Sequence, residues 1–266
     1  MGSGAPMDHR VETRLYVEEP LAEGQVVGLG HERAHYLRTV LRLERGALVA
    51  LFNGRDGEWL ARIDAVGKGW CSLAVQHRTR GQDGAADLRL LFAPVKRTRI
   101  DFIAEKASEL GCSVVWPVLT RHTDVARVNV DRLRANAVEA AEQCERLTVP
   151  ELRGPERLDR VLGGWPQGRI LFLCAEAGDA RPVAEAMALH RNAPAAVLVG
   201  PEGGFTQEEL DGLRKLAFVV PVGLGPRILR ADTAALAVLA CWQALAGDWT
   251  ADGQDNRPPF RSSRRM

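Results

Sequence analysis

The feature that most constrains the fold is a series of short apolar segments in the C-terminal part of the chain. Each has the length of a β-strand, and segments with helical periodicity lie between and after them. Strands that are apolar on both faces are typical of a parallel sheet with helices packed on either side. The predicted strands are Arg89–Pro94, Ser113–Val118, Arg169–Cys174, Ala195–Gly200 and Ala217–Val222.

The N-terminal part of the chain has the pattern of a small β-barrel. Ala47–Phe52 and Glu58–Ile63 are strand candidates, and Asn53–Gly57 between them is typical of a hairpin turn. A short helical stretch begins near His31. Several short strands so close in sequence favour a barrel. Further strand candidates are Val26–Leu29 and Trp70–His77.

A segment rich in Gly and Asp, Arg78–Arg89, separates these two patterns and indicates a linker. Past Trp249 the chain becomes polar and rich in arginine, as expected of a solvated tail. We therefore predict a flexible lead at 1–11, a β-barrel domain at 12–80, a linker at 81–88, an α/β domain at 89–249 and a flexible basic tail at 250–266.

The composition narrows the class of protein. Hydrophobic residues make up 46% and charged residues 26% of the chain, which is typical of a globular protein. The sequence contains neither an apolar run of the ~18–20 residues that a membrane span needs nor a signal-peptide core, so we expect a cytosolic protein. The formal net charge of +1 means that any surface for nucleic acid must be local. The cysteines form no CxxC pair and are interpreted as reduced, buried thiols rather than zinc ligands.

The loop Gly200–Phe205 joins an apolar strand to a helix start, where Thr206 and Glu209 fit a capping box. It lacks the Lys of a phosphate-binding P-loop and the glycine spacing of a dinucleotide site. Glu202 would also repel a pyrophosphate. The loop therefore favours a ligand that is neutral or positive near this carboxylate, such as the sulfonium of S-adenosylmethionine. The alternative is a tight turn with no ligand.

Two further loops, Ala175–Asp179 and Gly223–Arg230, also follow predicted strands. The carboxyl ends of parallel strands share one edge of a sheet, so the three loops are expected to form one pocket. In the last loop Arg227 and Arg230 bracket two apolar residues, before a helix whose predicted N-cap is Asp232. A basic loop at this edge predicts an anionic second substrate, with ordinary solvated arginines as the alternative.

Two helical segments carry candidate groups for binding nucleic acid. Asp131–Leu147 has an apolar stripe, and Gln143 and Arg146 lie on its opposite side. A solvated, salt-bridged face is the alternative interpretation of that side. The basic run Lys96–Arg99 lies at a strand end before the other helix and is a candidate phosphate contact.

Four separated stretches of the chain share one family resemblance: Lys96–Gly111, Glu139–Pro150, Leu198–Leu210 and Leu224–Leu236. In this order they resemble the motifs of the 16S rRNA uracil-N3 methyltransferases, which belong to the SPOUT superfamily of knotted methyltransferases. His35–Gly54 resembles the same family. The resemblance covers nearly the whole chain outside both tails, and several motifs in order are more specific than any single loop.

The resemblance implies a PUA-like N-terminal barrel that helps to hold RNA. It also implies a C-terminal α/β domain with a deep trefoil knot that binds S-adenosylmethionine, and a homodimer with each active site near the subunit interface. The chain departs from the family pattern in small ways. Asp232 stands where Glu is common, and Cys144 and Glu145 stand where Ser or Ala and Gly are common. The implied partners are 16S rRNA or the small ribosomal subunit and a second copy of the chain, with no membrane and no metal.

The chemistry of this reaction suggests roles for particular residues. Uracil N3–H is a weak acid, so the enzyme must stabilise an anion as the proton leaves, and guanidinium groups suit that task. The catalytic candidates are Arg230 and Arg227; Glu142 and Asp232 are more readily a salt-bridge partner and a helix cap than a general base. The RNA-binding candidates are Arg38, Arg42, Lys96, Arg99, Gln143 and Arg146. The predicted cofactor contacts are Leu173, Glu176, Leu198, Gly200, Pro201, Glu202, Gly203, Gly204, Leu224, Gly225, Ile228 and Leu229.

Other functions stay open at this point. One alternative is a SPOUT methyltransferase that acts on tRNA or on a ribose hydroxyl. Another is a noncatalytic RNA-binding dimer whose α/β domain only dimerises. A nicotinamide-dependent oxidoreductase is disfavoured, because Glu202 would oppose the cofactor's phosphates.

Overall fold

The computed structural model describes residues 11–84, 86–95, 97–123, 127–174, 180–191 and 193–249. These residues form two compact units, and the division falls after Gly84. It lies within the predicted linker, 81–88, and the first strand of the second unit begins at Leu88. Except for Val11, the predicted lead and tail lie outside the described residues.

The described residues of the N-terminal unit form a five-stranded sheet in the order β1-β3-β4-β5-β2. The first pair, β1 and β3, is parallel, and the other pairs are antiparallel. A short helix, α1 (His31–His35), continues into a π-helical turn, Tyr36–Val40. The strands are β1 (Val11–Tyr16), β2 (Val26–Leu29), β3 (Leu48–Phe52), β4 (Glu58–Gly67) and β5 (Trp70–Arg80).

The predicted hairpin between β3 and β4 is confirmed, with Phe52 opposite Glu58 in an antiparallel pair. The buried Asn53 closes the turn, because its Oδ1 accepts from the backbone N–H groups of Arg55 and Asp56. Its Nδ2 donates to Asp56 Oδ2 at 2.6 Å, and this hydrogen bond is the main cause that lowers the pKa of the Asp56 carboxyl. The turn is therefore held by side-chain bonds that its own sequence supplies.

The described residues of the C-terminal unit form an eight-stranded sheet in the order β11-β13-β10-β12-β6-β7-β8, and β9 pairs with β7. Every assigned pair is parallel, as predicted. The five strands predicted from apolar segments are all present, with ends displaced by at most two residues. The strands are β6 (Leu88–Phe92), β7 (Val114–Leu119), β8 (Glu151–Leu152), β9 (Glu156–Arg157), β10 (Ile170–Cys174), β11 (Arg181–Pro182), β12 (Ala195–Val199) and β13 (Val219–Gly223).

Helices cover both faces of this sheet. All of β12 is buried, and its alternate side chains enter two different cores, as the two-residue period of a strand requires. The helices of the described ranges are too short or too polar to span a bilayer. The helices are α2 (Arg97–Glu109), α3 (Val130–Cys144), α4 (Leu158–Gly163), α5 (Val183–Ala188), α6 (Gln207–Arg214) and α7 (Ala231–Leu245).

Helix α3 ends earlier than the apolar stripe of the sequence predicts. Its N-cap is Asn129, whose side chain accepts from the N–H of Arg132. The helix stops at Cys144 because Glu145 adopts the left-handed conformation, with φ of 64°. Only Gly adopts this conformation without a steric cost, which explains why Gly suits this position in the family pattern.

The prediction that Asp232 caps the last helix is wrong. Helix α7 begins at Ala231, and its N-cap is Arg230, whose side chain makes no capping hydrogen bond. Asp232 lies in the first turn, where its Oδ1 accepts from the N–H of Thr233 at 2.9 Å. A carboxylate is still favourable there, because the N-terminal end of a helix carries partial positive charge.

Candidate functional site

A cleft of about 930 Å³ opens at the carboxyl ends of β10, β12 and β13, within the size range of small-molecule sites. The loops after β12 and β13 form much of its wall, on the shared rim that a parallel sheet requires. The third predicted loop, Ala175–Asp179, lies outside the described residues, and Glu176 lies there with it. Further lining residues are Arg99, Cys174, Ala180, Val199, Leu210, Val222 and Ala234.

The glycine loop, Gly200–Phe205, has a shape that two of its glycines make possible. A Cβ added to Gly200 would lie 2.7 Å from Cε2 of Phe205, so a side chain at this position would displace the ring. Gly204 has φ of +69°, and its N–H donates to the carbonyl of Pro201 at 2.9 Å. The backbone is therefore folded tightly at the place where it lines the cleft.

The end of the glycine loop is held by the predicted capping box, which is confirmed. Thr206 Oγ1 accepts from the N–H of Glu209 at 3.2 Å, and Glu209 Oε2 accepts from the N–H of Thr206 at 2.9 Å. The other carboxylate oxygen of Glu209 accepts from the N–H of Arg121 at 2.8 Å, so the loop after β7 is tied to the same box.

His122 holds the glycine loop from the side. Its Nδ1 lies 3.2 Å from the carbonyl oxygen of Gly203 and 3.1 Å from that of Gly204. Both partners are acceptors, so Nδ1 carries the hydrogen and donates to them. His122 is a site residue that no local sequence pattern signals, because these contacts join residues about eighty positions apart.

Arg99 forms an ion pair with Glu202, the acidic residue of the glycine loop. Its Nη1 lies 3.1 Å from Glu202 Oε1 and 3.7 Å from Asp232 Oδ1. This buried atom has no aligned hydrogen-bond acceptor among the described residues, so the contact with Glu202 is an ion pair without a well-directed hydrogen bond. One guanidinium faces two carboxylates, which leaves the cluster with a formal charge of −1.

The arginine loop, Leu224–Arg230, is exposed over most of its length. Ile228 is 83% exposed, and the two catalytic candidates, Arg227 and Arg230, are exposed on either side of it. Neither arginine is paired with a carboxylate within the part of the chain that the structure describes. Leu229 is partly buried against the core. The loop therefore presents two guanidinium groups at the wall of the cleft, available to an anionic ligand.

Two predicted cofactor contacts, Leu173 and Leu198, are fully buried in the core beneath the cleft. The next residue of each strand, Cys174 and Val199, lines the cleft instead, because neighbouring side chains of a strand point to opposite faces. The two leucines can therefore contact a ligand only through their main-chain atoms. Burial raises the pKa of the Cys174 thiol to about 12, so the thiol stays protonated at neutral pH.

The candidate RNA-binding residues lie in different places. Arg146 is engaged in the fold, since its guanidinium donates to the carbonyls of Ser108 at 2.5 Å and Cys112 at 3.0 Å. Its contact with RNA stays a prediction. Gln143 is exposed on α3, and Lys96 lies outside the described residues. Arg38 and Arg42 line a separate cavity of about 670 Å³ in the N-terminal unit.

In the described ranges, no three His, Cys, Asp or Glu side chains are grouped so that they could hold a metal ion. The five cysteines are all free.

Comparison with known proteins identifies the family. Residues 83–243 match the model of an RNA methyltransferase domain, and residues 29–74 match that of an RNA methyltransferase PUA domain. Ribosomal RNA small subunit methyltransferase E of Rickettsia conorii is 32% identical over 228 residues, which cover 85% of this chain and 93% of the relative. The chain belongs to the ribosomal RNA small subunit methyltransferase E family.

Other methyltransferase E proteins agree with this assignment. The protein of that name from Synechocystis is 31% identical, over 87% of this chain and 77% of the relative. The crystal structure of methyltransferase E from Neisseria gonorrhoeae bound to S-adenosyl methionine has a TM-score of 0.78 and 29% identity. The aligned region covers 90% of this chain and 99% of the Neisseria chain.

The match confirms the predicted fold class, a SPOUT-type α/β methyltransferase domain preceded by a PUA-like domain. The cleft lies within the matched RNA methyltransferase domain, and the cavity with Arg38 and Arg42 lies within the matched PUA domain. The deep knot stays a prediction, since strand order and pairing do not define how the chain is threaded.

Proposed function

We propose that this protein transfers a methyl group from S-adenosylmethionine to N3 of a uridine in the 16S RNA of the small ribosomal subunit. The observation that carries the proposal is the cleft. A tightly folded glycine loop with a net negative cluster forms one wall, and another carries two arginines that pair with no carboxylate of the described residues. Its position in the matched methyltransferase domain supports the same conclusion.

The residues of the cleft fit S-adenosylmethionine. Gly200 and Gly204 let the backbone approach a ligand closely, and Leu224 and Leu229 add apolar surface. Glu202, within a cluster of formal charge −1, suits a ligand with a positive centre and opposes one with several phosphates. S-adenosylmethionine supplies a methyl group on a positively charged sulfur.

The arginine loop supplies the charge that the second substrate needs. Uracil N3 becomes nucleophilic only when its proton leaves, and the resulting negative charge spreads over N3 and the two neighbouring carbonyl oxygens. Arg230 and Arg227 line the cleft and are assigned to stabilise this charge and to hold the base in position. The main contribution of the protein is thus positioning and electrostatic stabilisation.

The proposed RNA contacts come from both units. Arg38 and Arg42 in the PUA domain, with Lys96, Arg99 and Gln143 in the methyltransferase domain, are assigned to phosphates and neighbouring bases. A homodimer is part of the proposal, and the exposed Ile228 beside the cleft supports it, since exposed apolar side chains are common at interfaces. A ribosomal substrate also implies that the protein acts in the cytoplasm.

The decisive experiment is methyl transfer to small-subunit particles from a strain that lacks this modification, followed by mass mapping of the modified base. We expect one N3-methyluridine in the 16S RNA. Modification of tRNA or of a ribose hydroxyl would support the other SPOUT activity instead. Calorimetry with S-adenosylmethionine separates both from a noncatalytic RNA-binding dimer, which would not bind this ligand. Light scattering of the purified protein tests the dimer.

A further inference from the structure

Trp70 is an exposed aromatic side chain at the tip of the hairpin that joins β4 and β5. It is 51% exposed, although tryptophan side chains are mostly buried when their role is only packing. In the strand register it stands opposite Gly67, and a Cβ added to Gly67 would overlap the indole ring. The ring therefore rests against the backbone of the hairpin, and about half of the side chain faces solvent.

Positive charge lies beside this ring. Arg38 Nη1 donates to the carbonyl oxygen of Gly67 at 3.4 Å, so the guanidinium and the indole of Trp70 contact the same residue. Lys68, at the tip of the hairpin, is also exposed.

Arg38 connects this ring to the cavity of about 670 Å³, which it lines together with Arg42 and Arg45. Two carboxylates, Glu44 and Asp64, also line the cavity, and Asp64 pairs with Arg45 at 3.7 Å. Arg42 has no such partner among residues 11–84.

A second aromatic group adjoins the hairpin tip. The imidazole of His31 lies against Gly69, where an added Cβ would be 2.9 Å from its Cδ2. The ring of His35 stacks on that of His31, with centroids 6.4 Å apart and planes 5° from parallel. Both glycines of the tip thus leave room for an aromatic ring, and Trp70, His31 and His35 are all exposed.

We propose that Trp70 is a stacking platform for an unpaired nucleobase of the RNA, and that Arg38 and Arg42 bind the phosphates beside that base. Proteins that bind single-stranded RNA combine aromatic platforms with a positive groove in this way, and duplex RNA cannot offer a base to such a platform. The inference rests on the proposed function in one respect, since it takes RNA as the ligand.

The test is fluorescence anisotropy of the full chain with labelled single-stranded oligouridylate and with a duplex RNA of equal length. Trp70→Ala and Trp70→Leu should each weaken single-strand binding by about tenfold and leave duplex binding unchanged, as expected for the loss of one stacked base. Trp70→Phe should restore most of the affinity. Arg42→Ala should instead lower the slope of log K against log salt by about one for both RNAs.

Val26→Ala is the matched control, because Val26 is also an exposed apolar residue of the same unit, at 61%. Trp70→Leu keeps apolar volume without a ring, so it separates stacking from packing even where the alanine variant folds poorly. The inference is overturned where the leucine variant binds the single strand as tightly as the wild type. Equal losses for both RNAs would overturn it too, as would a change of oligomeric state without a change in RNA affinity.

The failure of this inference can be told apart from failure of the proposed reaction. If the wild-type protein methylates small-subunit particles but the Trp70 variants bind RNA normally, only the proposal of a stacking platform is overturned. If the Trp70 variants lose affinity for single-stranded RNA but the wild-type protein methylates no RNA, only the proposed reaction is overturned.

Discussion

The two described loops of the cleft differ in how the protein holds them. The glycine loop is fixed by the capping box, by hydrogen bonds from His122 and by the ion pair between Arg99 and Glu202. The arginine loop, by contrast, exposes Arg227 and Arg230 without ion-pair partners in the described ranges.

Because of this difference, the two loops suit two kinds of ligand. A wall that is held before a ligand arrives costs little ordering free energy when the ligand binds, which suits a small cofactor. Exposed arginines that pair with no carboxylate of the described residues can instead pair with an anionic substrate when it enters. We therefore expect changes in the glycine loop to affect cofactor affinity, and changes in the arginine loop to affect methyl transfer.

The largest expected effect is that of Arg230→Ala. Loss of a group that stabilises developing negative charge lowers turnover by about 10²–10³-fold, while affinity for S-adenosylmethionine should stay nearly unchanged. Turnover on small-subunit RNA and calorimetry measure the two quantities. Arg191→Ala, at an exposed arginine outside the cleft lining, is the control. Equal losses in both measurements would show that Arg230 belongs to the cofactor site. The two loops would then not differ in the ligand that they bind.

Gly200→Ala should have the next largest effect. The added Cβ would lie 2.7 Å from the Phe205 ring, and such overpacking costs about 1–3 kcal/mol, so we expect cofactor affinity to fall by about tenfold. Gly212→Ala is the matched control, because Gly212 lies in α6 with no atom within 4 Å of an added Cβ. It should raise the free energy of unfolding by about 0.5–1 kcal/mol. Unchanged affinity in the Gly200 variant would show that the loop is not held rigidly.

A smaller effect is expected for His122→Ala, which removes the donor shared by the carbonyls of Gly203 and Gly204. A lost hydrogen bond of this kind costs about 1 kcal/mol, or about fivefold in cofactor affinity. His122→Asn places an amide N–H close to the position of Nδ1 and should recover most of it, whereas His122→Gln places its donor further out. Calorimetry that finds no difference between the asparagine and alanine variants would rule out this hydrogen bond as the cause.

Glu202→Gln should have the smallest effect. It takes the cluster with Arg99 and Asp232 from a formal charge of −1 to 0, and a partly exposed charge pair of this kind is worth about 0.2–1 kcal/mol. We expect affinity for S-adenosylmethionine to fall by about two- to threefold, while affinity for the uncharged S-adenosylhomocysteine stays constant. Parallel losses for both ligands would indicate a change of loop shape rather than of charge.

Local patterns predicted much of this molecule. The apolar segments identified the parallel strands, Asn53–Gly57 identified a hairpin, and Thr206 with Glu209 identified a capping box. Each depends on residues within a few positions of one another, so their physical causes are contained in a short stretch of chain. The family resemblance supplied the methyltransferase and PUA-like domains, which the family match bears out.

Side-chain partners were predicted less well. The sequence predicts Asp232 as a helix cap, but the helix begins two residues earlier than that requires, and the carboxylate lies 3.7 Å from Arg99. Helical periodicity predicts that Arg146 faces outward as a donor, yet it donates to the carbonyls of Ser108 and Cys112. In both cases the partner is far away in sequence, and helical periodicity contains no information about it.

The sequence by itself determined the strands, their alternation with helices and the tight glycine turn, because backbone conformation and burial depend mainly on neighbouring residues. Only the tertiary structure decided that Arg99 faces Glu202, that His122 supports the glycine loop and that Trp70 lies beside Arg38. Charges and hydrogen bonds act over a few ångströms, so their partners are known only once the folded chain has brought distant segments together.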